Sequence, residues 1–378
     1  MLPAQQKKTI RIEETHSSLR EATIFPPGIE ILAAQLYDPH TSLFSGDTFD
    51  ALAIRREIIG GLGSLLTSHG VTVRDLRGAF AASLQPSSLS PQAFLEKVAA
   101  TYEGIPIDQA EQLLYQEAFH YNSMPHAIAA NHALTLEHAL PLGNIIYQCD
   151  NSGVIHGYNF KGTMKYPIRQ PEPDVVAQGL MQMGYGTLFP IEGVFEYADV
   201  AFIDGAVYIG QDVGYGMRTS AAAIHQIAGM IDAPVYALVL TGEHVPAEQE
   251  QFAHIQSRMH LDLIAKEPIE GVLYGCPEIC CDIVVEGRNE YAGTQQEGFY
   301  EHFRGMQHRE IPIEEQQALA LNMSGTKRGT VVVPSLENET TVQYLHDDGL
   351  TVVSPEFEHL PKLLGGAHCA IGELARFD

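Results

Sequence analysis

The sequence predicts an α/β fold assembled from several copies of a small module, and three patterns support this prediction. Short apolar runs typical of strands alternate with amphipathic helical segments, a glycine often separates helix from strand, and one pair of runs is joined by a hairpin turn. The chain has 378 residues, 45% of them hydrophobic, which is enough for one large or two ordinary domains. Repetition at this scale indicates modules stacked around an axis or along a sheet.

The module has the order strand, helix, glycine, strand, and its first copy is near the N-terminus. Residues 20–25 form an apolar run, apolar side chains recur at helical spacing over 54–66, and Gly70 precedes a second short run at 71–73. Further copies are predicted at residues 175–190, 222–240 and 330–353.

Two departures from the simple module are also predicted. Residues 84–140 are rich in Ala, Leu, Glu and Gln, with Pro91 and Pro106 near expected helix starts, and we interpret them as a helical insertion. The runs 198–203 and 206–209 flank Asp-Gly, which tolerates the positive φ of a two-residue turn, so we predict a hairpin. Hairpins added to the module favour short mixed sheets over one doubly wound sheet.

The charge of the chain restricts its partners. Lys and Arg number 22 against 47 Asp and Glu, a net charge of −25 that repels phosphate backbones and anionic membrane surfaces. No apolar run reaches the roughly 18 residues of a spanning helix, and the polar start lacks the apolar stretch of a secretory signal. Five cysteines without framework spacing suit a reducing compartment. We therefore expect a soluble cytoplasmic protein that binds neither nucleic acid nor membrane.

Two short motifs carry side chains suited to chemistry. In Gly365-Gly366-Ala367-His368-Cys369, paired glycines allow a tight turn, and nearby backbone N–H groups would favour a thiolate; a small buried cysteine is the alternative. We interpret residues 259–265 as a strand, which places His260 and Asp262 on one face. An imidazole beside a carboxylate suits proton transfer next to a cationic substrate, and an exposed polar strand is the alternative.

Further carboxylates lie near predicted strand ends, at Asp150, Glu196 and Asp199. In so acidic a chain, solvated loops are the ordinary explanation. Metal-ligand spacing is lacking, and no glycine-rich loop stands between a strand and a helix. We therefore predict neither a metal nor a cofactor.

Taken in order, the segments 144–150, 196–199, 260–262 and 365–369 resemble arginine deiminase, a member of the guanidine-modifying superfamily called penteins. The resemblance covers nearly the whole chain, because residues 19–31 also resemble the opening strand and proline-glycine turn of that family. It implies a five-bladed α/β propeller of ββαβ modules. This would be a single catalytic domain of residues 1–378, with the helical insertion at 84–140. A homodimer is also implied.

The resemblance further implies a covalent mechanism. Cys369 would attack the guanidinium carbon, and His260 would serve as acid and base. Asp150 and Asp262 would grip guanidinium nitrogens, while Glu196 would hold one nitrogen and assist proton transfer. A guanidinium stays charged and has up to five N–H donors, so a site that desolvates it needs paired carboxylates.

The family's clamp for the substrate α-carboxylate resembles Asn144, Arg169 and Arg218 in this chain, and surface solubility is the alternative role for the two arginines. Arginine or a close relative is therefore the implied substrate. Cys149 stands where the family usually has arginine, and Leu363-Leu364 replaces Gly-Arg. These departures leave the exact guanidino substrate open.

The implied activity is metal-independent hydrolysis of arginine to citrulline and ammonia. One alternative is an amidinotransferase, which passes the amidino group to an amine. A second is an arginine dihydrolase, which continues to ornithine. A third is a non-catalytic pentein that acts as a binding protein, although such members lack the cysteine and the His-x-Asp pair.

Overall fold

The computed structural model describes residues 11–12, 17–37, 49–186, 188–214, 216–241, 258–293, 296–327, 329–355 and 357–376. Over these residues the predicted α/β class is confirmed, with seventeen strands in five sheets. The strands are β1 (Arg11–Ile12), β2 (Leu19–Ile24), β3 (Thr72–Asp75), β4 (Ser152–Ile155), β5 (Tyr158–Lys161), β6 (Val200–Ile203), β7 (Ala206–Gln211), β8 (Val235–Leu240), β9 (Ala265–Ile269), β10 (Val272–Gly275), β11 (Ile283–Gly287), β12 (Gln296–Gly298), β13 (Gln307–Glu310), β14 (Ser324–Lys327), β15 (Thr330–Val332), β16 (Thr351–Val353) and β17 (Gly372–Arg376).

Helices connect and cover these sheets. The α helices are Ile29–Ala34, Ala51–Arg56, Ser64–Ser68, Leu76–Ser83, Pro91–Thr101, Ile107–Tyr121, Met124–Leu136, Gln148–Asn151, Glu172–Gln182, Ala221–Ala228, Pro277–Cys280, Phe299–His302, Ile313–Gln317 and Glu339–Asp347. A π-helical segment, Glu57–Gly63, joins two of them, and the 3-10 helices are Gly143–Ile146, Pro167–Arg169, Tyr197–Asp199, Leu261–Leu263 and Leu360–Leu363. Of the helices in the described ranges, none has both the length and the apolar character needed to cross a membrane.

Two of the seven antiparallel strand pairs among the described residues, β8–β11 and β11–β12, extend one sheet at its edge. The other five recur once in each unit: β4–β5, β6–β7, β9–β10, β14–β15 and β17–β2. In four of them the second strand also has a parallel neighbour, namely β8, β13, β16 and β3. In the remaining pair, β5 makes a single parallel bridge, from Phe160 to Phe189. Each unit therefore contains an antiparallel pair and a later parallel segment, and their arrangement as five blades around one axis remains a prediction.

The helix-to-strand junctions explain the glycines noted in the sequence. Gly70, Gly184 and Gly349 adopt φ values of 83°, 91° and 83°, in the left-handed region that glycine enters without a Cβ clash. The hairpin prediction is confirmed, since Asp204 and Gly205 link β6 to β7 with φ values of 48° and 72°. The copy predicted at 175–190 differs, because after Gly184 only the isolated bridge at Phe189 forms; Thr187 lies outside the described residues.

Residues 84–140, all of them described, contain three helices and no strand. Pro91 opens the first of these helices, where its missing N–H costs no helical hydrogen bond, and the Ser90 hydroxyl caps it by accepting from the Ala93 N–H. Pro106 directly precedes the second helix. Asn131 of the third helix accepts a hydrogen bond from the Ile29 N–H, which ties this segment to the N-terminal module.

The two ends of the chain meet in one sheet. Strand β17 pairs antiparallel with β2, with Gly372 opposite Thr23. The buried Arg376 side chain donates to the carbonyl oxygens of Ser17 and Gly325, at 2.7 Å and 2.9 Å. This pairing holds the residues before β17, among them Cys369, in a buried cluster with the N-terminal helices.

Candidate active site

Four of the predicted site residues, together with Asn322, come from equivalent places in the five units. In each unit, one polar side chain lies two to four residues before the first strand of the antiparallel pair. These side chains are Asp150 before β4, Glu196 before β6, Asp262 before β9, Asn322 before β14 and Cys369 before β17. Residues far apart in sequence thus lie close together in the interior, because the segment before the first strand of each unit leads into the same buried region.

The segment that carries the His-x-Asp pair is not a strand, so our interpretation of residues 259–265 is wrong. Strand β9 begins at Ala265, and Leu261–Leu263 form a 3-10 helix that His260 precedes with extended backbone. In that turn the two side chains diverge. His260 contacts Glu196, and Asp262 contacts His368.

A buried ion-pair cluster surrounds Arg169. Its Nη1 donates to Asp150 Oδ2 at 2.5 Å, and Nε and Nη2 donate to Glu172 Oε2 at 3.0 Å and 2.8 Å. Nη2 also lies 3.4 Å from the backbone oxygen of Asn144. Burial raises the pKa of Glu172 to about 7 even though Arg169 opposes this effect. Arg169 therefore orients Asp150 while its own N–H groups are largely engaged.

Glu196 connects this cluster to His260. Its Oε2 accepts from Arg218 Nη1 at 2.8 Å and lies 2.9 Å from His260 Nε2, while His260 Nδ1 lies 3.8 Å from Asp150 Oδ1. Burial would raise the pKa of Glu196, but Arg218 and His260 hold it well below its usual range. Burial likewise opposes the charged imidazole, yet Asp150 and Glu196 raise the pKa of His260 above its ordinary value. Arg218 also stacks on Tyr166 at 4.8 Å.

Asp199 holds Arg218 in place through the backbone. Its Oδ2 accepts from the backbone N–H groups of Arg218 and Thr219, at 2.9 Å and 2.7 Å, and from the Thr219 hydroxyl at 2.8 Å. Burial raises the pKa of Asp199 to about 7. Asp199 therefore fixes the segment that carries Arg218 against the segment that carries Glu196.

The thiol of Cys369 lies in a second part of the network. Cys369 Sγ accepts from Asn322 Nδ2 at 3.0 Å and is 3.9 Å from Asp262 Oδ2. Asn322 Oδ1 accepts from the Cys369 N–H at 3.1 Å, and Asn322 Nδ2 donates to Asp262 Oδ2 at 2.8 Å. Burial raises the pKa of the Cys369 thiol well above its ordinary value, and Asp262 and Asp150 raise it further. Burial alone would raise the pKa of Asp262, but the hydrogen bond to His368 and the charges of His368, His260 and Lys266 together lower it.

The paired glycines bring the backbone close to protein side chains. A Cβ at Gly365 would overlap the ring of Tyr147, and one at Gly366 would lie 2.7 Å from Asn322 Oδ1. The Asn322 contact shows why glycine is needed beside Cys369. A larger residue would push Asn322 away from the sulfur that it contacts.

All eight predicted site residues therefore lie in two buried clusters, together with residues to which the sequence assigned no role. The clusters are linked electrostatically, because the charge of Asp150 acts on Cys369 and that of His260 acts on Asp262. Asn322, Glu172 and His368 are the main additions. Glu172 carries a readable signal, because it follows Arg169 by three residues at a helix start. Asn322 has no motif around it, and only the register of β14 within its module marks its position.

Among the described residues, two groups of side chains have metal-ligating atoms within 4.8 Å of one another. One contains Asp150, Glu196 and His260, and the other contains Cys149, Asp262 and His368.

The network carries more negative than positive charge. Five buried carboxyl groups lie in it with only two buried arginines, Arg169 and Arg218. The carboxylates are Asp150, Glu172, Glu196, Asp199 and Asp262. Among the described atoms, the Oδ1 oxygens of Asp150 and Asp262 are buried without a hydrogen-bond partner. A cation with several N–H donors would complement both the charge and these acceptors.

Comparison of the whole fold with solved structures identifies proteins that share it. The chain shares the fold of dimethylarginine dimethylaminohydrolase. With that enzyme from Pseudomonas aeruginosa, in its complex with citrulline, it has a TM-score of 0.56 and 14% identity over 95% of this chain and 100% of the other. The N-terminal domain of ArgZ, an arginine dihydrolase from the ornithine–ammonia cycle in cyanobacteria, gives a TM-score of 0.58 and 14% identity over 94% and 98% of the chains. The resemblance to pentein hydrolases is therefore confirmed at the level of the fold. No family model and no curated protein matches the sequence.

Proposed function

We propose that this chain hydrolyses the guanidinium group of arginine or a close relative through a covalent amidino-cysteine on Cys369. The observation that carries the proposal is the buried network itself. A cysteine thiol lies 3.9 Å from a carboxylate in a network that also contains an imidazole and an excess of carboxylates over arginines. The fold of the solved guanidino hydrolases is consistent with it.

Substrate binding uses the unpartnered acceptors. The planar guanidinium donates N–H groups to Asp150 and Asp262, whose Oδ1 atoms lack hydrogen bonds among the described residues. A buried carboxylate oxygen without a hydrogen bond costs free energy, so a cation that donates to it is stabilised at this position. Glu196 accepts a further N–H on the side of the site that holds His260.

The bound cation also activates the thiol. In the chain alone, burial and the two aspartates raise the pKa of Cys369, so the thiol is protonated at neutral pH. A guanidinium between the carboxylates offsets their charge and favours the thiolate. Nucleophilic attack is thereby coupled to occupancy by a cationic substrate.

The thiolate then forms a bond to the guanidinium carbon and yields a tetrahedral adduct. His260 gives a proton to one terminal nitrogen, the carbon–nitrogen bond breaks, and ammonia leaves. His260 next takes a proton from water, which attacks the amidino carbon. The carbon–sulfur bond breaks, Cys369 is released, and arginine has become citrulline.

The role of the two arginines follows from their partners. Arg169 and Arg218 donate to Asp150, Glu172 and Glu196. They thus set the orientation of the acids that receive the guanidinium. We propose that Asn144, Arg169 and Arg218 also border the substrate tail. There, those of their N–H groups that take no part in these ion pairs donate to the substrate α-carboxylate.

A second candidate product is ornithine. The reason is the ArgZ domain, a neighbour with the same fold that is an arginine dihydrolase. A dihydrolase would carry the ureido product through a second cleavage before release.

Intact mass spectrometry with product analysis tests the proposal. We expect wild-type protein mixed with arginine to gain an amidino adduct on Cys369 and to release ammonia with citrulline, or with ornithine for the second candidate. Replacing Cys369 by alanine should abolish the adduct and lower turnover by at least about 10³-fold, since the covalent path is lost. Cys281→Ala, at an exposed thiol, is the matched control and should keep wild-type turnover.

Three results would contradict the proposal. Ammonia release that survives Cys369→Ala would exclude the covalent path. A guanidino product that forms only when glycine or lysine is added, without citrulline or ornithine, would instead identify an amidinotransferase. Binding of arginine or another partner without turnover would favour the non-catalytic alternative.

A further inference from the structure

A second set of ligating side chains meets at Asp262 Oδ2, the oxygen that also accepts from Asn322 Nδ2 at 2.8 Å and lies 3.9 Å from Cys369 Sγ. Cys149 Sγ is 3.5 Å from His368 Nδ1, and His368 Nδ1 is 2.8 Å from Asp262 Oδ2. All three residues are at least nine-tenths buried, and their ligating atoms lie within 4.8 Å of one another. A sulfur, an imidazole nitrogen and a carboxylate oxygen thus point to one position.

These separations match those around a tetrahedral zinc ion. With Zn–S of about 2.3 Å and Zn–N of about 2.05 Å, tetrahedral angles place sulfur and nitrogen about 3.5 Å apart. The observed distance from Cys149 Sγ to His368 Nδ1 is 3.5 Å. The nitrogen–oxygen pair is closer because a hydrogen bond joins it, and a widening of about 0.5 Å would give the metal-bound separation.

We propose that Cys149, His368 and Asp262 form a binding site for a thiophilic divalent cation such as Zn²⁺. Sulfur and imidazole ligands select this class over Mg²⁺ and Ca²⁺, which require oxygen ligands. A water molecule fills the fourth position. The cation takes the place of the proton shared by His368 and Asp262, and Cys149 binds it as the thiolate.

The other candidate set does not suit a metal. In Asp150, Glu196 and His260, both carboxylates already accept hydrogen bonds from arginines, at 2.5 Å for Arg169 and 2.8 Å for Arg218. A divalent cation there would stand beside two fixed positive charges. The Cys149 set has no arginine within hydrogen-bond distance among the described residues.

A small cavity adjoins two of the three ligands, Asp262 and His368. Lys266, Glu267 and Glu373 line its polar side, and Tyr197, Val200, Ala201 and Phe202 line the rest. Its volume of about 10 Å³ is close to the space that one water molecule needs. Glu267 and Glu373 offset the positive charge of Lys266 in this cavity. Because thiol and imidazole must lose protons to bind a metal, affinity falls as the pH is lowered.

The site affects catalysis through Asp262, and this part rests on the proposed function. Asp262 is both a ligand of the cation and an acceptor for the guanidinium. Cation and substrate therefore compete, and the divalent cation acts as a reversible inhibitor that a chelator removes.

Cobalt(II) titration of the Cys369→Ala protein tests the site directly. Without Cys369 the nucleophile cannot bind cobalt, so Cys149 is the thiol of the proposed site that remains. The spectroscopic readout does not depend on activity. We expect one equivalent of cobalt to give a thiolate-to-cobalt charge-transfer band and the intense visible bands of tetrahedral coordination. Added Zn²⁺ should abolish both.

The decisive comparison adds a second substitution in that background. Cys149→Ala or His368→Asn should weaken cobalt binding by more than about 100-fold. Loss of a metal ligand costs more affinity than loss of a residue that only hydrogen-bonds to a ligand. Cys280→Ala, at another buried thiol, should keep the bands. Circular dichroism identifies a variant that fails to fold. If one ligand variant fails to fold, the other shows whether loss of a ligand weakens cobalt binding.

Two outcomes would overturn the assignment. One is cobalt bands in the wild type that vanish in Cys369→Ala, which would place the metal on the nucleophile. The other is bands that persist in folded Cys149→Ala and His368→Asn proteins. If the protein is not a hydrolase, the cobalt result is unchanged. The competition between cation and substrate could then not be measured, because there would be no turnover to inhibit.

Discussion

The chemical state of Cys369 is set by its immediate neighbours. Its sulfur accepts from Asn322 Nδ2 and lies near Asp262 Oδ2, in a position only 5% exposed. A thiolate there would be buried beside negative charge, which the hydrogen bond from Asn322 offsets only in part. The residue is therefore poised to react only after a positive charge arrives.

We predict that alkylation of Cys369 by iodoacetamide is slow at pH 7 and still accelerates above pH 9. Burial together with Asp262 and Asp150 raises the pKa of this thiol well above its ordinary value. Asp262→Asn removes one repelling charge, so the pKa of the thiol should fall. Alkylation at pH 8 should then speed up about tenfold for each unit by which that pKa falls. Peptide mass spectrometry over a pH series measures the rate.

The exposed Cys281 provides an internal reference in the same samples, since it should react at similar rates in both proteins. Asp232→Asn, at an exposed carboxylate, is the matched charge control. A Cys369 that reacts fully at pH 7 in the wild type would contradict the prediction.

At the scale of the elements, the local rules of turn and helix chemistry account for what the sequence predicted well. The Asp204-Gly205 turn and the glycines at helix ends were readable because their φ values depend on local sterics. Residues 259–265 were not readable, because an apolar alternating run suits either a strand or a tight turn. Packing ahead of β9 selects the 3-10 helix there.

A matched pair of glycine substitutions tests the turn. Gly205→Ala should destabilise the protein by about 1 kcal/mol, because its φ of 72° disfavours a Cβ although no heavy atom lies within 4 Å of one. Gly60→Ala lies in a helical segment with equal space, so it should stabilise by about 0.5 kcal/mol or more. Urea unfolding measures both, and equal shifts of the same sign would refute the argument.

For the whole molecule, buried ionisable groups and a net charge of −25 shape stability together. Burial raises the pKa values of Glu172 and Asp199 to about 7, while the pKa of Glu373 falls to about 2 because Arg376 outweighs burial. A homodimer and a cytoplasmic location remain predictions at this scale. So does the closure of the five units into blades.

We predict that the free energy of unfolding is greatest near pH 5 and falls towards pH 8. Carboxyls with raised pKa hold their protons more tightly in the folded chain, so their contribution is present below about pH 4 and is lost as the pH rises through 7. Glu373 acts oppositely, and its contribution is lost as the pH falls from about 4 towards 2. Each raised group contributes a slope of up to about 1.4 kcal/mol per pH unit.

Urea unfolding at pH 5.5 and pH 7.5 measures this dependence. The double variant Glu172→Gln with Asp199→Asn should flatten it, whereas Glu301→Gln with Asp232→Asn changes the net charge equally at exposed positions and should keep most of the slope. Stability that rises from pH 5.5 to pH 7.5 in the wild type would show that these carboxyls are ionised in the folded chain.

Taken alone, the sequence determined the α/β class, the recurring module and the hairpin, which follow from local conformational preference and act over a few residues. The eight side chains predicted for the site came from the ordered motifs that resemble arginine deiminase, and their roles stay a prediction. Only the tertiary structure decided that Arg169 and Arg218 pair with buried acids, that Asn322 holds the Cys369 sulfur and that Cys149 faces His368. These contacts join residues 19 to 219 positions apart, and side-chain partners at such distances depend on how the modules pack.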